Sequence, residues 1–446
     1  MSKVSDFLLE KTSKPPARPA LLALEDGTVF EGVSCGADGE AFGEICFNTS
    51  LEGYLEIITD PSYAGQIVTL TYPQVGNYGV HLDDAQAAHP ALSALVVRDL
   101  CPTPSSWRAA EPLGAYLARE GVVAIEGVDT RTLVRHIRDH GAQRAVVSTV
   151  DANAGSLVAK AQAAPKLAGE NLAATVSRSV PAAYGPADLP EGHAFATAPV
   201  PESRFHVVVY DCGVKAGILD GLVRAGCRLT VVPWDTPADD VLAANPDGVF
   251  FSNGPGDPDA VDATSEAAAA LLGRVPVFGI CLGHQMMAKA AGAAIEKLKF
   301  GHHGGNHPVQ NLLTGRVEVT AQNHGFYPRF QSLGPLVPEL SGGATEHADD
   351  LRAWAGRHVA PVVDNPRFGR IRLTHVNLDD GTAEGFAFLD IPAFSVQYHP
   401  EASPGPTDAH YLFTAFARLM DGEPDYLDID IAADRLAGWK FGKDVA

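Results

Sequence analysis

Cys281 has the sequence surroundings of a reactive thiol. An apolar run, residues 275–280, ends at this cysteine, a helix-forming stretch (282–291) follows at once, and Gly279 and Gly283 flank it. A strand, a sharp turn and a helix place a nucleophile at the apex, as in the G-x-S-x-G elbow, here with sulfur in place of oxygen. Unpaired amides at a helix N-terminus favour the thiolate, which is the nucleophilic form. For this residue taken alone, a buried structural cysteine is the alternative.

His399 and Glu401 supply the other groups that thiol acyl transfer needs. Phe394, Val396 and Tyr398 alternate with polar residues up to His399, a period of two that predicts a strand. His399 and Glu401 stand on either side of one proline, so an extended backbone points both side chains the same way. A thiol, a histidine base and a carboxylate that orients the histidine form an acyl-transfer triad. A structural histidine at a strand end is the alternative for this motif alone.

Alternating strands and helices are expected to bring these distant residues together. From residue 205 onward, the apolar runs FHVVVYD, RLTVVP, GVFFSN and VPVFGI are separated by helix-forming stretches. This alternation predicts an α/β domain with a mostly parallel, helix-flanked sheet. Ligands of such sheets bind beyond the carboxyl ends of the strands, where 211–213, 252–256 and Cys281 lie. The sequence contains no glycine-rich phosphate-binding motif. We therefore expect no ATP or dinucleotide pocket in this chain.

Composition limits the domain organisation and the kinds of partner. A length of 446 residues predicts two or more domains. We divide the chain into a tail (1–19), a mixed β/α domain (20–150), a connecting segment and linker (151–204), and the α/β domain (205–446). The formal charge of −21 argues against binding to nucleic acid or an anionic membrane. Six scattered cysteines suggest neither disulfides nor a zinc ribbon, so we expect a cytoplasmic protein.

Three motifs resemble the signatures of class I glutamine amidotransferases: GICLGHQ, SNGPGDP and YHPEASPGP. Further stretches, among them VDTRTLVRHIRDHGA and KFGHHGGNHPV, resemble the family of small, glutamine-hydrolysing subunits of carbamoyl-phosphate synthetase. The resemblance runs from about residue 21 to the end, and the first half makes it specific. It implies an N-terminal mixed β/α domain followed by a class I glutamine amidotransferase domain.

The resemblance also implies roles for individual residues. Cys281 is the expected nucleophile, His399 the general base and Glu401 the group that orients His399. The amides of Gly254 and Leu282 are the expected oxyanion hole, which agrees with the position of amides beside an elbow nucleophile. The residues expected to bind L-glutamine are Ser50, Gly254, Gly256, Leu282, Gln285, Asn323, Gly325 and Phe326. Since Ser50 comes from the first domain, we expect the pocket at a domain interface; a turn or cap serine is its alternative.

The activity that the resemblance implies is glutamine hydrolysis coupled to a synthetase. A large subunit, joined in a heterodimer or a higher assembly, is expected to use the ammonia with ATP, Mg²⁺ and bicarbonate to make carbamoyl phosphate for pyrimidine and arginine synthesis. This chain itself is expected to hold no cofactor. The alternatives are a glutaminase subunit of another synthetase and a non-catalytic stabilising subunit. The N-terminal half argues against the first, and an intact Cys281, His399 and Glu401 argue against the second.

Two segments need a separate interpretation. Residues of about 335–370 are extra relative to the family, and their glycines and charges predict a surface insertion that is dispensable for chemistry. The stretch GHHGGNHP (301–308) carries three histidines, but their spacing matches no standard zinc pattern. We therefore expect no metal site.

Overall fold

The computed structural model describes residues 18–190, 196–197, 201–435 and 440–441, so the predicted tail lies almost wholly outside the described residues. The chain forms two compact units. Unit 1 runs to Glu170 and includes Lys299–His303, and unit 2 comprises Asn171–Leu298 and the chain from Gly304 onward. The division falls inside the segment that the sequence assigns to a connection. Among the described helices, none combines the length and the apolar character needed to cross a bilayer.

Unit 1 is built around a closed β-barrel. Its strands are β1 (Pro19–Leu24), β2 (Val29–Ser34), β3 (Glu40–Asn48), β4 (Gln66–Leu70), β5 (Gln74–Val75), β6 (Ala94–Val96), β7 (Asp99–Leu100), β8 (Val123–Glu126) and β9 (Gln143–Ser148). Its α-helices are α1 (Tyr54–Ile58), α2 (Leu113–Arg119), α3 (Thr130–His140) and α4 (Ala154–Ala163), with 3₁₀ turns at Pro61–Tyr63 and Leu82–Asp84. Within the described residues, seven strands close the barrel in the order β1-β2-β8-β6-β4-β3-β9, and β5 pairs with β7.

Helix α3 shows how local sequence signals fix an element of unit 1. The Asp129 side chain accepts a hydrogen bond from the Thr132 amide at 3.1 Å, which caps the helix start. The helix ends at Gly141, whose φ of +96° is readily adopted only by glycine. Leu133 and Ile137 on its inner face are buried in the barrel core. The prediction of a helix that starts at Asp129 and Thr130 and ends at Gly141 is confirmed.

Unit 2 contains one large mixed sheet with helices on both faces. The strands of this sheet are β10 (Ala182–Tyr184), β12 (Phe205–Asp211), β13 (Cys227–Pro233), β14 (Gly248–Phe251), β15 (Val277–Ile280), β16 (Ile295–Asn311, of which 299–303 belong to unit 1), β17 (Val317–Pro328), β18 (Val362–Asn365), β19 (Gly369–Asn377), β20 (Ala383–Phe388) and β21 (Ala393–Val396). Two further strands of unit 2, β11 (Ala196–Thr197) and β22 (Lys440–Phe441), pair with each other. Its α-helices are α5 (Ala173–Val176), α6 (Ala216–Arg224), α7 (Ala238–Ala243), α8 (Asp262–Leu271), α9 (Leu282–Ala290), α10 (Arg352–Arg357), α11 (Tyr411–Met420) and α12 (Ile431–Arg435). Four 3₁₀ turns, at Pro186–Asp188, Pro258–Ala260, Phe330–Leu333 and Pro338–Leu340, complete the described elements.

The centre of this sheet is parallel and buried on both faces. Strands β13, β12, β14, β15 and β21 pair in parallel, in that order. Along β12, Val207 and Val209 pack in a cluster with α6 and α11, while Val208 and Tyr210 pack with α8 and α9. Burial of both faces explains why these strands are continuously apolar. The predicted fold class is confirmed, and an antiparallel arm of β20, β19, β16 and β17 extends the sheet beyond β21.

Part of the predicted linker is an ordered strand. Residues 182–184 form β10, which pairs antiparallel with β13 at the edge of the sheet. The Tyr184 hydroxyl donates to Asp220 Oδ1 at 2.6 Å, which ties the strand to α6. Ala182 and Ala183 are exposed, as expected of a linker, but the stretch is also an edge strand of the sheet. The sequence of this stretch is short and rich in small residues, so it does not predict a strand. The strand forms because it pairs with β13, which is distant in sequence.

The predicted surface insertion is also more deeply packed than its composition suggests. Trp354 is only 1% exposed and packs in the unit 2 core with Leu351 and Val363. The Asn365 side-chain amide donates to two backbone carbonyls, at 2.8 Å to Ala291 and 2.7 Å to Leu333. The expectation of a surface excursion is therefore wrong for the buried positions of this segment, which are 351, 354, 355, 361–363 and 365, whereas 352, 356–358 and 364 are exposed.

Trp354→Ala is expected to destabilise unit 2 by about 3–5 kcal/mol, because truncating a buried aromatic side chain leaves a cavity. The free energy of unfolding, measured by chemical denaturation, checks this. Trp107→Ala is the matched control, since the side chain of Trp107 is 88% exposed, and its change should stay within about 0.5 kcal/mol. Equal stability of the two variants would show that the segment contributes little to the core.

Candidate active site

Cys281 lies on a strained turn between β15 and α9. Its φ of 54° and ψ of −106° are rare for a residue with a Cβ, and such a conformation costs about 1–3 kcal/mol. The neighbouring glycines make the turn sterically possible. A Cβ at Gly283 would lie 2.1 Å from the Phe251 carbonyl oxygen, and one at Gly279 would lie 2.6 Å from Met287 Sδ. The predicted strand, turn and helix are confirmed.

The topology of the sheet places Cys281 and His399 at the same edge. Strands β15 and β21 are parallel neighbours with Ile280 opposite Val396, and the Cys281 amide donates to the Val396 carbonyl at 2.9 Å. His399 follows β21 closely, and its amide donates to the Ala321 carbonyl at 2.9 Å. Both side chains therefore lie beyond the carboxyl ends of adjacent strands, where α/β sheets bind ligands.

His399 and Glu401 form a buried pair. His399 Nδ1 lies 2.6 Å from Glu401 Oε1, and the two side chains are 2% and 0% exposed. The regular strand ends at Val396, so the predicted extended pattern stops earlier than the alternation suggests. The expected consequence, that both side chains point to the same place, nevertheless holds.

Lys215 is a residue of this site that the sequence analysis missed. Its Nζ lies 2.8 Å from Glu401 Oε1 and donates to the Ala402 carbonyl at 2.9 Å, with only 3% of the side chain exposed. Its amide donates to Asn253 Oδ1 at 3.2 Å, which links it to the loop after β14. A signal was available, because a lysine between apolar residues just beyond a strand end is expected to find an acid partner.

The charges of this group support one another. Burial alone would lower the pKa of His399, but its interactions with Glu401 and with the Cys281 sulfur raise that pKa above its ordinary value. Burial alone would raise the pKa of Glu401, but Lys215 and His399 lower it to about 2. At neutral pH the site therefore contains a carboxylate between an ammonium and an imidazolium.

The sulfur and the imidazole are neighbours without a formed hydrogen bond. His399 Nε2 is within electrostatic reach of the Cys281 sulfur, yet among the described residues it has no partner in hydrogen-bond geometry. Cys281 Sγ instead lies 3.5 Å from the Asn323 carbonyl oxygen. Catalytic hydrogen bonds are often long in substrate-free sites and shorten when substrate binds.

The two amides predicted as an oxyanion hole come from elements that touch. A Cβ at Gly254 would lie 2.2 Å from the Cys212 carbonyl oxygen and 2.8 Å from Leu282 Cδ2, so only glycine fits there. The Gly283 amide donates to the Ser252 carbonyl at 3.0 Å, which holds the β14 loop against the start of α9. Amides in the first turn of a helix have no intrahelical acceptor and can bind a developing oxyanion. The role of these two amides stays a prediction.

The structure also brings together most of the residues predicted to bind glutamine. The Gln285 side-chain amide donates to the Phe326 carbonyl at 2.8 Å and to Gln397 Oε1 at 3.1 Å, and its backbone amide donates to the Cys281 carbonyl at 3.1 Å. Asn323 and Phe326 lie on β17 on either side of Gly325, where a Cβ would meet no atom within 4 Å.

Two further residues predicted to bind glutamine lie outside that group of contacts. Gly256, with a φ of +92°, belongs to the loop of Gly254. Ser50 belongs to unit 1, where its amide donates to Asn48 Oδ1 at 2.7 Å. Its part in glutamine binding stays a prediction.

Comparison with known families matches both halves of the chain. Residues 22–147 match the family model described as "Carbamoyl-phosphate synthase small chain, CPSase domain". Residues 208–334 and 357–419 match "Glutamine amidotransferase class-I". The interruption of the second match falls within the predicted insertion.

Individual relatives are similar over nearly their whole length. The chain is 50% identical over 404 residues to the carbamoyl phosphate synthase small chain of Syntrophotalea carbinolica, covering 90% of this chain and 98% of the relative. It is 48% identical over 414 residues to that of Rubrivivax gelatinosus, covering 91% and 98%. It is 46% identical over 405 residues to that of Thermotoga maritima, covering 91% and 99%.

Proposed function

The chain belongs to the carbamoyl phosphate synthase small-chain family, and we propose that it hydrolyses L-glutamine through Cys281, His399 and Glu401. It is a glutamine-hydrolysing subunit of carbamoyl phosphate synthase. The observation that carries the proposed mechanism is the strained Cys281 turn beside a buried His399–Glu401 pair with a 2.6 Å contact. A thiol, an imidazole and a carboxylate in this order can activate a nucleophile and protonate a leaving group.

The first half of the reaction transfers the glutamyl group to sulfur. The Cys281 thiolate attacks the side-chain amide carbon of glutamine, and the amide oxygen becomes an oxyanion. The amides of Gly254 and Leu282 donate to that oxygen, which stabilises the tetrahedral intermediate. His399, protonated through its contact with Glu401, gives its proton to the amide nitrogen, the C–N bond breaks and ammonia leaves. The product on the protein is a glutamyl thioester.

The second half returns the site to its starting state. His399, now neutral, takes a proton from water, and the hydroxide attacks the thioester carbon. Collapse of the second tetrahedral intermediate releases glutamate and restores the thiolate next to the protonated imidazole. Lys215 holds Glu401 ionised throughout, because a buried carboxylate without a cation would take up a proton.

The ammonia is consumed by a large subunit. We place ATP, Mg²⁺ and bicarbonate on that partner, and no cofactor on this chain, with assembly in the cytoplasm as a heterodimer or a larger complex. Passage of ammonia inside protein is supported by its chemistry, since ammonia released into neutral water is mostly protonated and loses its nucleophilic electron pair. Carbamoyl phosphate then supplies pyrimidine and arginine synthesis.

The purified chain is expected to release glutamate from L-glutamine, both alone and together with the large subunit. The variant His399→Asn is expected to lower kcat for this reaction by roughly 10³-fold or more. Glutamate release, measured by a coupled dehydrogenase assay, checks this. His89→Asn is the matched control, since that side chain is 80% exposed and lies in unit 1. A His399→Asn variant as active as this control would remove His399 from the mechanism. No glutamate release by the wild-type chain in either state would contradict the proposed function.

A further inference from the structure

Unit 1 contains a cavity that the glutamine chemistry does not use. Its volume is about 550 Å³, within the range of sites that hold small molecules. The residues that line it are hydroxyl-bearing or basic apart from one valine: Thr49, Thr71, Thr130, Arg131, Val134, Arg135 and Arg138. No carboxylate lines this cavity, although the chain as a whole carries a formal charge of −21.

The three arginines come from one face of α3. Arg131, Arg135 and Arg138 follow the helical spacing of four and three residues, so their side chains project in the same direction. The opposite face, with Leu133 and Ile137, is fixed in the barrel core. Among the described residues, no acidic side chain forms an ion pair with Arg131 or Arg135, and Arg138 has one exposed contact, 3.6 Å to Asp139. One face of α3 therefore carries three arginine side chains, while its other face is packed in the barrel core.

The hydroxyl groups come from the ends of two parallel strands. Thr49 follows β3 and Thr71 follows β4, and these strands pair in parallel with Asn48 opposite Leu70. The Thr71 amide donates to the Asn48 carbonyl at 3.1 Å, which keeps the two strand ends adjacent. The carboxyl ends of parallel strands are the usual place for ligands in α/β structures. Hydroxyl-bearing and guanidinium side chains thus line one concave site.

We infer that this cavity binds a small molecule that carries two or more phosphate or carboxylate groups. Each guanidinium group can donate two parallel hydrogen bonds to a phosphate or a carboxylate. Three arginines on one helix face therefore fit a ligand with several anionic groups better than a ligand with a single anionic group. The Thr71 hydroxyl supplies an additional donor between the strand ends. The Thr49 hydroxyl donates to the His303 carbonyl at 3.2 Å and lines the cavity beside it. None of the lining residues belongs to the group around Cys281.

Inorganic pyrophosphate is the probe that tests this inference, with citrate as the carboxylate counterpart. Isothermal titration calorimetry on the full chain at low ionic strength is expected to detect binding of at least one of them. The affinity should fall as salt is added, because screening acts over about 10 Å at 0.1 M salt. Arg131→Gln/Arg135→Gln is expected to weaken binding about tenfold or more, since two charge-assisted contacts are lost.

Arg274→Gln provides the matched control, because it removes one exposed arginine of unit 2 outside the cavity lining. Unchanged affinity in this control, with loss in the double variant, supports the inference. Equal weakening in both variants, or no binding of either probe to the wild-type chain at millimolar concentration, overturns it. If the double variant fails to fold, Arg135→Lys replaces it. Lysine keeps the charge without the paired donors, so severalfold weaker binding supports the site and unchanged binding contradicts it. Glutamate release by each variant verifies that the rest of the chain is intact.

Discussion

A complex assembled with Cys281→Ser is expected to make no carbamoyl phosphate from glutamine and to keep making it from ammonium salt. Serine preserves the shape of the turn but is a far weaker nucleophile than a thiolate, so thioester formation stops. The loss of glutamine-dependent synthesis should be about 10⁴-fold or more, the scale seen when a triad nucleophile is removed. Carbamoyl phosphate formation with each nitrogen source, measured side by side with the same large subunit, checks this.

The controls for this experiment separate chemistry from assembly. Cys101→Ser changes a cysteine that is partly exposed in unit 1, and it should leave both nitrogen sources effective. Size-exclusion chromatography establishes that the large subunit is bound in every sample. Normal glutamine-dependent synthesis by Cys281→Ser would remove this residue as the nucleophile. Loss of the ammonia-dependent reaction in an intact complex would give Cys281 a role beyond the release of ammonia.

Glu401→Gln is expected to reduce both catalysis and stability. Without the carboxylate, burial lowers the pKa of His399, so the imidazole is neutral when a proton must be delivered. The rate of glutamine hydrolysis should fall roughly 10²- to 10⁴-fold, as for other residues that orient a catalytic histidine. Lys215 is left as a buried ammonium without its carboxylate, which costs about 3–5 kcal/mol of the free energy of unfolding.

A double variant, Glu401→Gln/Lys215→Met, separates these two effects. This double variant removes both buried charges together. Replacing a buried ion pair by uncharged groups often changes the free energy of unfolding only slightly. We therefore expect the free energy of unfolding to recover while the rate of glutamine hydrolysis stays low. Recovery of the rate together with stability would mean that Glu401 acts only through folding. Failure of both to recover would mean that the Lys215 contact to the Ala402 carbonyl is needed independently of the charge.

The parallel core of unit 2 could be predicted from the sequence because its signals are local. Strand β12 coincides with the apolar run at 205–211, and the turn at Cys281 is marked by Gly279 and Gly283 within two residues on either side. The steric constraints at this turn act between residues that are close in sequence. They therefore determine the residue types there, and a sequence pattern can predict the turn. The confirmed α3 boundaries rest on the same kind of information, an aspartate cap and a terminal glycine.

The features that escaped prediction depend on partners distant in sequence. Leu351, Trp354 and Ala355 have helical spacing, but the rest of the core cluster around them comes from elements distant in sequence. The pairing of β10 with β13 and the meeting of Lys215 with Glu401 are likewise decided by tertiary structure. Charged and alanine-rich segments are on average typical of surface loops. In β10 and in the segment around Trp354, tertiary packing outweighs that average preference.

The closed barrel of unit 1 restricts how another protein can attach to it. A sheet with open edges exposes unpaired backbone amides and carbonyls, to which a partner can add a strand. In the order β1-β2-β8-β6-β4-β3-β9, the last strand pairs with the first, so the barrel offers no such edge. A partner that binds the barrel, unlike one that adds a strand to the separate β5–β7 pair, must therefore recognise side chains on the surrounding helices and turns. Its specificity can change by substitution at those positions while the barrel hydrogen bonds stay intact.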